Sequence, residues 1–283
     1  MDFCAVRAWL LLVLRRKRVA WLVGVAALAT VIATEAKDVY RWGFLRGLRT
    51  TLFRAIRPVH LSNCTLKRFG APNDGGYLLC ENLAGQAKVA YSWGIEGRDD
   101  WGCDVSRAYH LPVRQYDCFD PRRPVCNGGD FHFHDECVGP GPAHIDGREF
   151  DGISNQIAKN GDLGKRLLVK MDVESAEWDS LAATPDSTLD NIDQLDIELH
   201  GLDDPKYVHV IEKLKKTFYI VNVHFNNYAC MWWSHPFPGL AYELLFVNKR
   251  LGVLDREQPG AVIPSPLEAP NVPSKRQCRD AVW

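Results

Sequence analysis

The sequence predicts an α/β domain built on a mainly parallel sheet. Three observations carry that expectation. Seven short β-like runs recur within 61–258, helical or connecting segments separate most of them, and the last two are joined by a loop alone. The runs are 89–95, 114–120, 131–138, 166–172, 192–199, 218–225 and 241–247. Connecting material lies at 158–165 and 203–216, and in the latter Tyr207, Val210, Ile211 and Leu214 have the spacing of one helical face. A parallel pair needs a long crossover, so the loop 226–240 predicts that the last two runs form an antiparallel hairpin closing the sheet.

The chain has 283 residues, 46% hydrophobic and 24% charged, enough for one sizeable core with appendages. A net charge of -1 lacks the basic footprint of a nucleic-acid-binding domain, and no such partner is expected. The charge is uneven, however. Arg7, Arg15, Arg16, Lys17 and Arg18 precede an uncharged run at 19–33. Basic residues before an apolar segment hold the N-terminus in the cytosol and send the remainder across. The run is short for a bilayer, and a thin membrane or snorkelling basic side chains would close the gap. The predicted organisation is therefore a basic cytosolic tail (1–18), a transmembrane signal anchor (19–36), a stem (37–60), the α/β domain (61–258) and a proline-rich C-terminal tail (259–283). This describes a single-pass type II protein of the endoplasmic reticulum or Golgi with its domain in the lumen. A cleaved signal peptide, with small residues up to Ala36, and a soluble helix are the alternatives.

The cysteines agree with a lumenal domain. Beyond Cys4 there are eight, an even number suited to disulfides, although Cys80 and Cys118 also read as small buried hydrophobes. There is no C-x-x-C, so no zinc site is expected; His132 and His134 next to Asp135 read as an incidental strand pair. Asn63-Cys64-Thr65 fits a glycosylation sequon. Residues 38–57 mix basic and apolar positions as an amphipathic stem helix would, and Pro58 ends it.

In a doubly wound sheet, ligands bind beyond the carboxyl ends of the strands, so polar residues there are the first functional candidates. The first run ends at Gly94 and Gly97, which allow close backbone approach to a ligand. The second ends at Asp120-Pro121, where a carboxylate can accept both hydrogen bonds of a ribose or simply begin a turn. The fourth delivers Asp172 and Glu174, which share one side of an extended segment with Lys170. Glu198, His200 and His224 also fall at strand ends. Trp232 and Trp233 could form a platform for a sugar ring, face lipid or join a core.

The block Lys170-Met-Asp-Val-Glu-Ser-Ala-Glu-Trp-Asp-Ser-Leu181 resembles the signature K-(I/M)-D-(V/I)-E-G-A-E-x-x-x-L of FkbM-type methyltransferases, with Ser175 in place of Gly. Asp74-Gly-Gly-Tyr77, Phe119-Asp120-Pro121 and Leu195-Asp-Ile-Glu-Leu-His200 are similar to segments of the methyltransferase-like branch of that group. The resemblance spans roughly 67–248. It implies a Rossmann-like class I fold that binds S-adenosyl-L-methionine, with Gly94 beside the methionine portion, Asp120 (or, less directly, Asp104) on the ribose, and Asp172 at the reacting end. The expected activity is O-methylation of a glycan or other small hydroxylated acceptor, with Asp172, Glu198, His200 and His224 as candidates to take the acceptor proton. A membrane-anchored glycosyltransferase using a sugar nucleotide and a divalent metal, and an inactive lumenal binding module, are the competing expectations.

Overall fold

The computed structural model describes residues 42–278 apart from 259, 262 and 264. The expected anchor at 19–36 lies outside the described residues. Contacts divide the chain into two units, Met1–Gly47 and Leu48–Trp283. In the first, residues 42–47 are helical. The second opens with helical residues 48–55, here α1. Among the described residues, no helix is long and apolar enough to cross a membrane.

The centre of the second unit is a seven-stranded sheet. In chain order its strands are β3 (Val89–Trp93), β4 (Pro112–Tyr116), β5 (Asp130–His134), β9 (Leu167–Met171), β10 (Ile192–His200), β11 (Phe218–Phe225) and β12 (Ala241–Asn248). All seven expected runs are present. Their spatial order is β11-β12-β10-β9-β3-β4-β5, or 6-7-5-4-1-2-3 when the seven are numbered along the chain. Every strand runs parallel except β12, which is antiparallel to both β10 and β11. The sheet is thus large, mostly parallel and closed by the expected antiparallel hairpin.

Smaller elements surround it. An antiparallel pair, β1 (Leu66–Gly70) and β2 (Gly76–Cys80), precedes the sheet. A three-stranded sheet of β6 (Cys137–Gly139), β7 (Ala143–Ile145) and β8 (Arg148–Gly152) follows β5, splitting the expected run 131–138 at Asp135-Glu136. The helices are α2 (Asp100–Tyr109), α3 (Ile153–Lys159), α4 (Glu177–Ala183), α5 (Asp186–Asp190) and α6 (Pro205–Thr217). In α6, Asp204 accepts a hydrogen bond from the Lys206 N–H at 2.8 Å, Pro205 occupies the first turn, and Val210, Ile211 and Leu214 turn inward as their spacing predicted.

The two faces of the sheet differ in chemistry, and β10 shows how. It is buried almost throughout, yet Leu195, Ile197 and Leu199 alternate with Gln194, Asp196 and Glu198. The apolar set joins a core with Leu52 of α1 and Ile56 just after it, Trp178 and Leu181 of α4, and Val210, Ile211 and Leu214 of α6. The opposite face lies under β1, β2 and α2, and the polar side chains that β10 puts there find partners. Gln194 exchanges hydrogen bonds with both backbone groups of Cys80, at 2.8 and 2.9 Å, and Trp101 Nε1 donates to Asp196 at 3.1 Å.

Four disulfides, Cys64–Cys80, Cys103–Cys126, Cys118–Cys137 and Cys230–Cys278, account for all eight cysteines beyond Cys4. They suit a domain that folds in an oxidising, secretory-type environment. Cys80 and Cys118 are therefore bridge halves and not merely small core residues. Asn63 of the sequon is committed structurally: Nδ2 donates to Leu251 O at 2.8 Å and Oδ1 accepts from the Val253 N–H at 2.8 Å. The C-terminal stretch lacks regular structure, but its described residues are firmly seated. Asn271 reaches His224, Glu243 and Asp74, and Asn227 accepts from the Val272 N–H at 2.8 Å.

Candidate functional site

The carboxyl ends of β3, β4, β5 and β9 surround a cleft of about 640 Å³. Its floor is the turn after β3. Gly94 has φ +73, and a Cβ there would collide with the Asp172 carbonyl oxygen, so only glycine lets these two strand ends meet. The ends are laced by the Gly94 N–H to Tyr116 O at 2.9 Å, the Asp172 N–H to Trp93 O at 3.0 Å, and Lys170 Nζ to the Gly94 carbonyl. Lys170, from the middle of the sheet, is thus a buried cation beneath the cleft, 3.7 Å from Asp172.

The carboxylate at the tip of β4 is Asp117. Its Oδ2 accepts from the N–H groups of Ile95 and Glu96, at 3.0 and 2.8 Å, and its Oδ1 from those of Phe119 and Asp120, at 2.9 and 3.0 Å. One buried side chain therefore clasps the loops after two neighbouring strands. Asp120, expected at this position, lies three residues farther on and is not among the lining residues. It is bonded instead to Arg122, and this contact holds its carboxyl below the usual range. The strand stops at Tyr116, four residues earlier than Asp120-Pro121 suggested. Asp104 is also displaced from the cleft: its carboxylate accepts from the Gly70 N–H at 2.9 Å, tying α2 to the β1–β2 turn. Asp99, not anticipated, caps α2 through the Gly102 N–H and accepts from Gln115 at 2.7 Å. Burial pushes its carboxyl up.

At the β9 end the cleft becomes acidic. Asp172 is partly open to it and accepts from the Tyr77 hydroxyl at 3.3 Å. Glu174 does not continue the strand direction as expected. It and Ser175 both have left-handed backbone, φ 52 and 86, which swings Glu174 outward. Behind them His200 sits in a ring of carboxylates. Its Nδ1 is 2.5 Å from Glu177 Oε1, and its Nε2 is 3.5 Å from Glu174 and 3.6 Å from Glu198. Burial opposes the charge, but the hydrogen bond and field of Glu177, with Glu198 and Asp172 beyond, push His200 up to about 9. Glu198 is itself raised, first by burial and then by Asp172 and Glu243, its cross-strand partner.

Three of the four expected proton acceptors, Asp172, Glu198 and His200, thus come together. His224 does not join them. It is 4% exposed on β11, its Nε2 2.9 Å from Asn271 Oδ1, in a neighbouring polar group with Glu243 and Glu268. Glu177 and Asp74 were visible only as letters of short motifs, and Glu243 carried no sequence signal. Three sets bring possible cation ligands within 4.8 Å of one another among the described residues: Asp172, Glu174 and His200; His224, Glu243 and Glu268; and Asp74, Glu198 and Glu243. His132 and His134 belong to none of them. Comparison of the chain with protein-family models, with curated proteins and with solved structures gives no match.

Proposed function

We propose that this chain is an S-adenosyl-L-methionine-dependent methyltransferase that acts on a hydroxylated acceptor, a glycan or smaller molecule, in the secretory pathway. The observation that carries the reading is the cleft itself. Its backbone turn at Gly94 and its Asp172 end support the assignment, implied by the resemblance to FkbM-type methyltransferases, of the methionine portion and the reacting end of the cofactor, while Asp117 stands at the β4 tip in place of the expected Asp120. The order 6-7-5-4-1-2-3 with one antiparallel strand fits the Rossmann-like sheet which that resemblance implies. In this reading the Gly94 turn and the loops organised by Asp117 would hold the cofactor, and Asp172 would stand at its reacting end. The bound cofactor would supply the methyl group, and the cleft would hold the acceptor oxygen in line with it. The hydroxyl proton passes to Asp172, while Lys170 and the His200 imidazolium balance the surrounding negative charge. Alignment of acceptor and methyl supplies most of the rate.

Calorimetry of the full chain with S-adenosyl-L-methionine tests the reading, since absence of binding would overturn it. Asp117→Ala should weaken binding by releasing the two loops that its carboxylate clasps, whereas Asp120→Ala should leave it nearly unchanged. The reverse pattern would return the ribose to Asp120. The Asp172, Glu174 and His200 set keeps a metal-dependent glycosyltransferase as the second reading. Binding of a sugar nucleotide with manganese, and not of the methyl donor, would select it.

A further inference from the structure

We propose that the edge of the sheet bearing the cleft docks on a bilayer surface through Trp232 and Trp233, and that the methyl acceptor is the hydroxylated headgroup of a lipid in that bilayer. The acceptor half of this inference rests on the methyltransferase reading; the docking half does not.

The loop from β11 to β12 displays Tyr228, Trp232 and Trp233, with 72%, 86% and 48% of their surface exposed. Three large aromatics on one water-facing loop are unusual for a protein surface and mark an interaction site. Their chemistry fits a membrane interface, where amphipathic rings settle at headgroup level beside basic side chains. Lys275 lies 3.9 Å from the ring centroid of Tyr228, and the buried Arg49, already paired with Asp203, packs 5.5 Å from that of Trp233. The loop is held firmly while exposing these rings. Cys230 is bridged to Cys278, and the single Ser234 hydroxyl proton is shared between the carbonyls of Met231 and Phe237, 2.7 and 2.8 Å from Oγ. Neither tryptophan is among the residues lining the cleft, which removes the sugar-platform role for that cavity.

Topology supplies the direction. β11 is parallel to β10 and β9 because both β10 and β11 are antiparallel to β12. The loop that follows β11 therefore leaves the same edge of the sheet as the cleft. The first turn of α1 meets that edge too. Arg49 donates to both oxygens of Asp203, just beyond β10, at 2.6 and 2.7 Å, and to the Trp233 carbonyl at 3.0 Å. In the sequence, Arg49 follows the uncharged run 19–33 by sixteen positions. The polypeptide thus enters this unit beside Trp233. A bilayer meeting that edge faces the mouth of the cleft, and an acceptor anchored in it needs only to raise its headgroup.

The full chain reconstituted in phosphatidylcholine vesicles containing phosphatidylserine and brominated acyl chains tests the docking. Bromine should quench a component of tryptophan emission that the Trp232→Phe/Trp233→Phe variant lacks. Equal quenching of both proteins overturns the proposal, as would a second copy of the chain covering the loop in cross-linking. Because these side chains are exposed, the variant should keep the parent's melting temperature, which confirms that the loss is local. For the acceptor, the full chain in its native membranes is given S-adenosyl-L-methionine with a tritiated methyl group. Label in the chloroform–methanol extract is expected, and its absence there overturns the lipid assignment. Lack of cofactor binding by calorimetry would sink the methyltransferase reading alone and leave the quenching result standing.

Discussion

His200 offers the most quantitative test of the site's electrostatics. Its imidazole is 17% exposed and is surrounded by Glu174, Glu177 and Glu198, with Asp172 beyond. Its proton is held up to about 9, against 6.5 for an unperturbed imidazole. The folded value is raised, so the charged ring stabilises the fold fully below pH 6.5. That contribution declines as pH rises from 6.5 and is gone above about 9. Two and a half units at about 1.4 kcal/mol each give on the order of 3 kcal/mol. His200→Gln preserves a neutral polar group of similar reach and removes the charge. Urea unfolding of the solubilised full chain at pH 6 and at pH 9.5 should show the variant less stable by that order at the lower pH and close to the parent at the higher. The difference between the two proteins cancels the titration of lysines and tyrosines elsewhere. A gap of equal size at both pH values would refute the reasoning and make His200 a packing residue.

Two further tests address the same segment. Ser175→Gly should stabilise the protein by about 1 kcal/mol in thermal or urea unfolding, because a left-handed backbone costs a side-chain-bearing residue roughly 1–2 kcal/mol and glycine returns part of that through unfolded-state entropy; a less stable variant would mean that the Ser175 side chain has a role that its φ of 86 does not reveal. Asp172→Asn should lower turnover roughly 10²–10⁴-fold, the usual contribution of a proton acceptor, while S-adenosyl-L-methionine affinity stays largely intact. Turnover near the parent level would rule out Asp172 as the proton acceptor.

The charge distribution bears on what such a site can accelerate. Asp74, Asp172, Glu174, Glu198 and Glu243 converge from four separate segments, with Lys170 and His200 as compensating cations. A sulfonium is attracted to this end, but its positive charge disperses as the methyl leaves. Attraction of that kind strengthens ground-state binding more than it stabilises the transition state. In the proposed reaction, the rate must therefore come from alignment and from removal of the acceptor proton. That requirement gives weight to a rigid cleft, where Gly94 meets Asp172 and Asp117 clasps two loops.

The sheet was legible in the sequence because hydrophobic runs of strand length are a local signal, and all seven runs of the large sheet were recognisable. The site was legible only in part, for reasons visible in single residues. Asp172 and His200 end strands whose letters announce them. Asp117 sits between Tyr116 and Cys118 with no distinguishing neighbour, and what selects it over Asp120 is where β4 stops, set by its pairing with β3 and β5. Glu243 is embedded in an apolar strand, and its importance comes from register: it lies opposite Glu198 on one side and His224 on the other. Asn271 lies in a proline-rich stretch that reads as a tail, yet its amide joins Asp74 to Glu243. Strand-end chemistry can be read from one segment at a time. A carboxylate whose role is to face another segment acquires that role only when the register brings the two together, and here the register gathers Glu198, Glu243 and Asp74 beside the one carboxylate, Asp172, that the sequence placed at the cleft.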